Sequence, residues 1–291
     1  MGDVINPQTR LENIAYATVL IQTEYGCGTG FLLQKDLGNN LIIPLLVTNK
    51  HVIYGEDKKS KQLVLAETGK LTFHTMDSNH QPSGILRDYT LEKHFGKHFF
   101  QHPNSDVDLC AMNLAYFVND CKRNPPEVFV RYISTDLIPT EQQWQELDYM
   151  EEVFMVGYPN SLSDKVHNYP IVRRGVTATH PCIDFNGKKE FLADIPNFPG
   201  SSGSPLFLYS RNRVDKEGNI YFCSELLYFL GVVYSVETSG VFVDTPEPTK
   251  LQQENCIRTA MNLAHVIKSS ELFELLDLFP STVRMGEANA E

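Results

Sequence analysis

Short apolar runs separated by turn residues make up most of this chain. Ala17–Gln22 (ATVLIQ), Gly28–Gln34 (GTGFLLQ) and Leu41–Asn49 (LIIPLLVTN) are rich in Val, Ile, Leu and Thr. The cluster Asp36-Leu37-Gly38-Asn39-Asn40 breaks the last two apart, so the pattern predicts strands joined by turns. VDLCAMNL and EVFVRYI continue it, with the polar, proline-containing break Cys121-Lys122-Arg123-Asn124-Pro125-Pro126 between them. Thr140 with Gln143 three residues on has the form of a capping box and predicts a short helix over roughly 141–148. Strands resume at EVFMVGYP, PIVRRGVTAT, EFLADI, SPLFLY, LLYFLGVVYSV and GVFVDT. From about Gln252 the period changes. Ile257, Met261, Ala264 and Ile267 stand at helical spacing and predict a C-terminal amphipathic helix, followed by a frayed tail.

Two sets of short strands split near residue 125 predict an all-β fold of two six-stranded antiparallel barrels over 10–125 and 126–250. A terminal helix and tail then cover 251–291. On strand pattern alone a single large β-sandwich fits nearly as well.

Composition narrows the function classes. With a net charge of −11 in 291 residues, the chain has little to offer a phosphate backbone or an anionic membrane surface. The first residues lack a basic start followed by an apolar run, and Asn6 stands where a myristoylation signal places Ser or Thr. No stretch reaches the roughly 18 apolar residues of a membrane helix. A cytoplasmic location is therefore expected. Six scattered cysteines without a C-x-x-C pair read as buried free thiols, the alternative being one or two bridges.

Three segments carry chemistry. Pro199-Gly200-Ser201-Ser202-Gly203-Ser204-Pro205 precedes an apolar strand. A nucleophilic serine needs a tight turn that presents its hydroxyl and aims backbone N–H groups at a developing oxyanion, and glycines permit both. Ser202 has Gly203 after it and Gly200 two before it. The plain alternative is a surface turn. His51 follows directly on LLVTNK, as a base held by a rigid strand should. Asp108 opens the apolar LCAM, whereas Asp106 still lies in polar chain, so Asp108 is the better acid to orient a histidine. His94, His98 and His102 recur every fourth residue, but Gly96 and Pro103 weaken a helix there and nothing completes a zinc set. No metal or cofactor is expected.

Together GTGF, T-x-x-H, D-L-C and G-S-S-G-S-P resemble the trypsin/chymotrypsin-like serine peptidases. Their order is His, Asp, Ser, at separations of 57 and 94 residues. The resemblance covers roughly 14–245 and implies two barrels with the site between them, chymotrypsin-like in fold. It implies that Ser202 attacks, His51 takes its proton and Asp108 holds the imidazole, while the N–H groups of Gly200 and Ser202 form the oxyanion hole. It places the specificity pocket along 194–199 and 231–236, with Asp194, Gly231, Val233 and Tyr234 as its lining. No cysteine flanks His51. Ser201 stands where secreted digestive members carry an Asp that pairs with a newly cut N-terminus, so the chain looks more like the intracellular bacterial branch. The expected function is a serine endopeptidase acting through an acyl-enzyme on protein or peptide substrates and restrained either by narrow specificity or by a regulatory protein partner. The rival is a peptidase-fold module that captures a protein without cutting it.

Overall fold

The turn-punctuated apolar runs fold as strands in the computed structural model of the chain. It describes residues 4–39, 41–57, 60–214, 218–221, 225–242 and 256–279, with side chains undescribed at 213–214, 221, 238–242 and 256–260. The first unit is an eight-stranded antiparallel sheet. Its strands are β1 (Thr18–Thr23), β2 (Gly26–Gly38), β3 (Leu41–Thr48), β6 (Gly69–Met76), β7 (Pro82–Leu91), β8 (Phe99–Gln101), β9 (Cys110–Asn113) and β10 (Val128–Phe129). Pairing runs β10-β6-β1-β2-β3-β9-β8, with β7 on the far side of β6. A small hairpin of β4 (Tyr54–Glu56) and β5 (Leu63–Leu65) stands apart. Among the described residues this unit does not close into the six-stranded ring expected.

The second unit does close. Its barrel runs β11 (Glu152–Gly157), β12 (Ile171–Thr177), β13 (Glu190–Asp194), β18 (Cys256–Lys268), β17 (Leu226–Phe242) and β14 (Pro205–Ser210). The short pair β15 (Arg213–Val214) and β16 (Ile220–Tyr221) lies beside it. The architecture is the chymotrypsin-like one, two β units with a C-terminal helix.

Each unit has its own core, and a third core joins them. Leu32, Leu46, Phe73 and Phe95 fill the first, and Met155, Phe191, Leu206 and Val233 fill the second. Between the units, Phe31 meets Phe229 edge to face, with ring centroids 5.3 Å apart, within one apolar cluster. Aromatic pairs of this kind add to the burial of their area and fix how the faces meet. The cleft between the units is therefore a fixed seam.

The helix expected from Gln252 onward is corrected. Residues 256–268 are the barrel strand β18, paired with β13 and β17. The terminal helix, α4, is Glu271–Asp277. Helical spacing misled because the end of β18, from Ala264 to Lys268, packs on both sides. Ala264 and Val266 enter the barrel core, while Ile267 joins the seam, so the period-two signal vanishes. α4 packs Leu272, Leu275 and Leu276 into the seam, and Lys35 Nζ caps it by donating to the carbonyls of Leu276 and Phe279. The helix foreseen near 141 forms as α3 (Glu141–Gln145), closed by the Thr140/Gln143 capping box. Two helices were not foreseen. α1 (Arg10–Ala17) carries its own capping box, Thr9 with Glu12, and α2 (Ala115–Arg123) runs into the polar break before Pro125. Residues 243–255, Cys223 and the tail from 280 lie outside the described residues.

Candidate active site

His51 sits in a short 3-10 turn, Lys50–Ile53, at the end of β3, whose buried residues anchor it. Asp108 lies just ahead of β9, the strand next to β3. That pairing brings the two side chains together. His51 Nδ1 lies 2.5 Å from Asp108 Oδ2, and the His51 backbone N–H donates to Asp108 Oδ1 at 3.1 Å. A carboxylate acceptor makes such a hydrogen bond stronger than one between neutral groups. Asn49, fully buried, donates from Nδ2 to the Asp108 carbonyl at 2.7 Å and holds the acid from behind. With Nδ1 committed to the carboxylate, Nε2 is left to act as acceptor. The imidazole is 49% exposed and the carboxylate 23%, so the histidine faces solvent while the acid is partly shielded. Asp106 is exposed, its N–H bonded to Asn104 Oδ1.

The serine turn is shaped by its glycines. Gly200 has φ +87° and Gly203 φ +85°, conformations that side chains strain to adopt. A Cβ on Gly200 would come within 2.6 Å of the Tyr158 carbonyl oxygen, and one on Gly203 within 1.9 Å of the Thr29 carbonyl oxygen. Within the turn, Ser201 N–H donates to Phe198, Gly203 N–H to Val233 and Ser204 N–H to Ser201. The N–H groups of Gly200 and Ser202 donate to no group among the described residues. Those are the two that the family resemblance implies for an oxyanion. The Ser202 hydroxyl donates to the Tyr234 carbonyl at 3.4 Å.

One cleft of about 280 Å³ is lined by His51, Val52, Cys27, Pro199, Gly200 and Ser202, among others. The base and the serine thus open on a common space.

Thr29, in the GTGF motif, ties the halves of the site together, although sequence reasoning gave it no role. Its Oγ1 donates to the Gly200 carbonyl at 2.8 Å and accepts from Tyr158 N–H, and its N–H donates to the Ser202 carbonyl. Arg173, in the VRRG run, is a second unforeseen member. It donates to Ser201 Oγ at 2.7 Å and to the Pro196 carbonyl at 2.6 Å. Both residues stood in the quoted motifs, but nothing in the spacing says which way their side chains turn.

The residues expected to line the specificity pocket lie as follows. Val233 is 0% exposed and belongs to the second barrel's core. Gly231 is interior too, since a Cβ there would lie 2.1 Å from the Ile267 carbonyl oxygen. Asp194 is exposed at the end of β13 and does not line the cleft shared by His51 and Ser202. Tyr234 is half-buried, and its hydroxyl donates to Glu190 Oε2 at 2.8 Å.

The histidines at 94, 98 and 102 do not share a helix face. His94 has φ +60° ahead of the turn Phe95–His98, and His102 is buried with Nε2 on the Glu271 carbonyl. Among the described residues, no three ligating side chains cluster as a metal site and no helix is long and apolar enough to cross a membrane. Cys27, Cys110, Cys121 and Cys182 are free thiols, and burial pushes the Cys110 thiol well up.

The trypsin-like peptidase domain family matches residues 28–214, well over half of the chain. No curated protein matches the sequence significantly. Similar solved structures include that of Rv3671c from M. tuberculosis as an inactive serine-to-alanine mutant, 13% identical. It covers 97% of this chain and 98% of that one at a TM-score of 0.43. A second, of the Rv3671c protease in an inactive form, is also 13% identical, covering 96% and 98% at 0.43. Superposition this loose says nothing about mechanism.

Proposed function

We propose that this chain, which belongs to the trypsin-like peptidase family, is a serine endopeptidase that works through an acyl-enzyme. His51 Nε2 takes the Ser202 proton as the oxygen attacks the scissile carbonyl. Asp108 holds the imidazole tautomer and stabilises the imidazolium. The N–H groups of Gly200 and Ser202 receive the oxyanion. The proton then passes from His51 to the leaving amine, and water repeats the sequence to release the acid.

One observation carries this reading. A carboxylate-bound histidine and a serine turn with two uncommitted N–H groups open on the same cleft.

The test is turnover of an unbiased peptide library by the purified full chain and by Ser202→Ala. The wild type should cut, and the variant should lose on the order of 10⁴ or more in rate while keeping its fold. Equal cleavage by both would remove Ser202 as nucleophile.

The second reading, capture of a protein without cleavage, is favoured by one detail. The Ser202 hydroxyl rests on the Tyr234 carbonyl rather than on His51. Catalytic hydrogen bonds are often loose before substrate binds, so the detail weighs little against the endopeptidase. A wild type that binds library peptides but cuts none would decide for the module.

A further inference from the structure

We propose that Arg173 is a positioning residue that holds the oxyanion turn in its working shape from within the chain. The proposal rests on the reading of Ser202 as nucleophile. Arg173 lies in β12, opposite Met155 of β11. Its guanidinium reaches both ends of the segment before the nucleophile, giving Nη1 to the Pro196 carbonyl at 2.6 Å and Nη2 to Ser201 Oγ at 2.7 Å. Ser201 is 0% exposed, and its Oγ also accepts from Phe198 N–H at 3.3 Å. One planar cation therefore spans residues 196 to 201, and Ser202 follows directly.

A guanidinium so placed is a costly way to fill space. Its Nε is buried and unpaired, and among the described residues it forms no ion pair with a carboxylate. Burial lowers its pKa to about 10, so it stays charged at neutral pH. A half-buried cation answered by a carbonyl, a hydroxyl and the weak acceptor Met155 Sδ recovers part of its desolvation cost and adds little net stability. What the contacts do fix is geometry. They pin the backbone at Pro196 and the side chain of Ser201, on either side of the bend that leaves the Gly200 and Ser202 N–H groups free. Lys offers a single point charge and cannot span both acceptors as the planar fork does. The turn is thus formed by an internal cation and a neutral Ser201, with no newly cut N-terminus required.

The test uses the full chain and a rhodamine fluorophosphonate, whose reaction at a serine needs a formed oxyanion hole. Second-order labelling of Ser202 should fall about 10²-fold in Arg173→Ala, the scale of loss when a reacting geometry slips by about 1 Å. Arg173→Lys, which keeps charge and bulk, should fall less. Millimolar methylguanidinium should restore labelling of Arg173→Ala and leave the wild type unchanged. Wild-type rates in both variants would overturn the proposal, as would a loss in both that methylguanidinium does not relieve, since that marks packing alone. If Arg173→Ala fails to fold, Arg173→Lys decides: a folded variant labelled at the wild-type rate overturns the proposal, and a folded variant labelled more slowly supports it. A wild type unlabelled at Ser202 brings down the peptidase reading and this proposal with it, whereas a labelled wild type with indifferent variants brings down this proposal alone.

Discussion

The two halves of the site are held by opposite means. The half proposed to carry the base, on the first sheet, is built from side chains: His51 and Asp108 face each other, and Asn49 steadies Asp108. The half proposed to carry the nucleophile, on the second barrel, is built from backbone. Three turn N–H groups are spent inside the fold, two glycines take conformations that exclude a Cβ, and, among the described residues, Thr29 and Arg173 reach in with side-chain hydrogen bonds. A half made of side chains fails when a functional group is removed. A half made of backbone fails when an atom is added.

Asp108→Asn breaks the comparison most sharply. It keeps the shape but presents an amide to His51, favouring the wrong tautomer, and the rate should fall about 10⁴-fold. Thermal unfolding should move by no more than about 4 °C, because the pair is partly exposed. Activity within tenfold of wild type would show that Asp108 does not orient the base.

Half-buried His265 and buried His74 both leave Nδ1 without a hydrogen bond among the described residues, but their neighbours differ. In the second barrel His265 is bonded to Glu237 and lies near Glu190. In the first sheet His74 has no partner for Nδ1, and burial lowers its pKa to about 4 from 6.5. The unfolded chain therefore takes up the proton first as pH falls below 6.5. Stability contributed by the neutral imidazole is present above that value and lost down to about pH 4, for a total of about 3 kcal/mol. Urea unfolding across that window should show the slope in the wild type and a shallower one in His74→Phe. Identical slopes would remove His74 as the cause.

Smaller effects sharpen the contrast. Gly203→Ala adds one methyl where it would meet the Thr29 carbonyl and should cost about 1–3 kcal/mol in urea unfolding, with activity falling alongside. Thr29→Val keeps the volume but strands the Gly200 carbonyl and the Tyr158 N–H, at a similar cost of about 1–3 kcal/mol. Full stability in both would mean that the seam between turn and sheet is looser than its hydrogen bonds imply.

What the sequence disclosed follows the same division. The serine turn was legible because backbone constraints select glycine, and Gly200 and Gly203 stand out at any distance from the rest. His51 and Asp108 were legible through the strands that carry them. Arg173 was not, because an arginine in an exposed-looking V-R-R-G run gives no sign of which neighbour turns inward. The strands between His51 and Asp108 were passed over, although Gly69–Met76 alternates through Leu71 and Phe73. β18 was misread because packing on both sides of its end erases alternation.

The most direct test of the account is the site of covalent labelling by a fluorophosphonate, mapped by peptide mass spectrometry on the wild type and on His51→Ala. The account predicts a single adduct on Ser202 in the wild type and a reaction slower by orders of magnitude in His51→Ala. No adduct, an adduct on Ser201 or Ser204 instead, or equal labelling without His51 would contradict it.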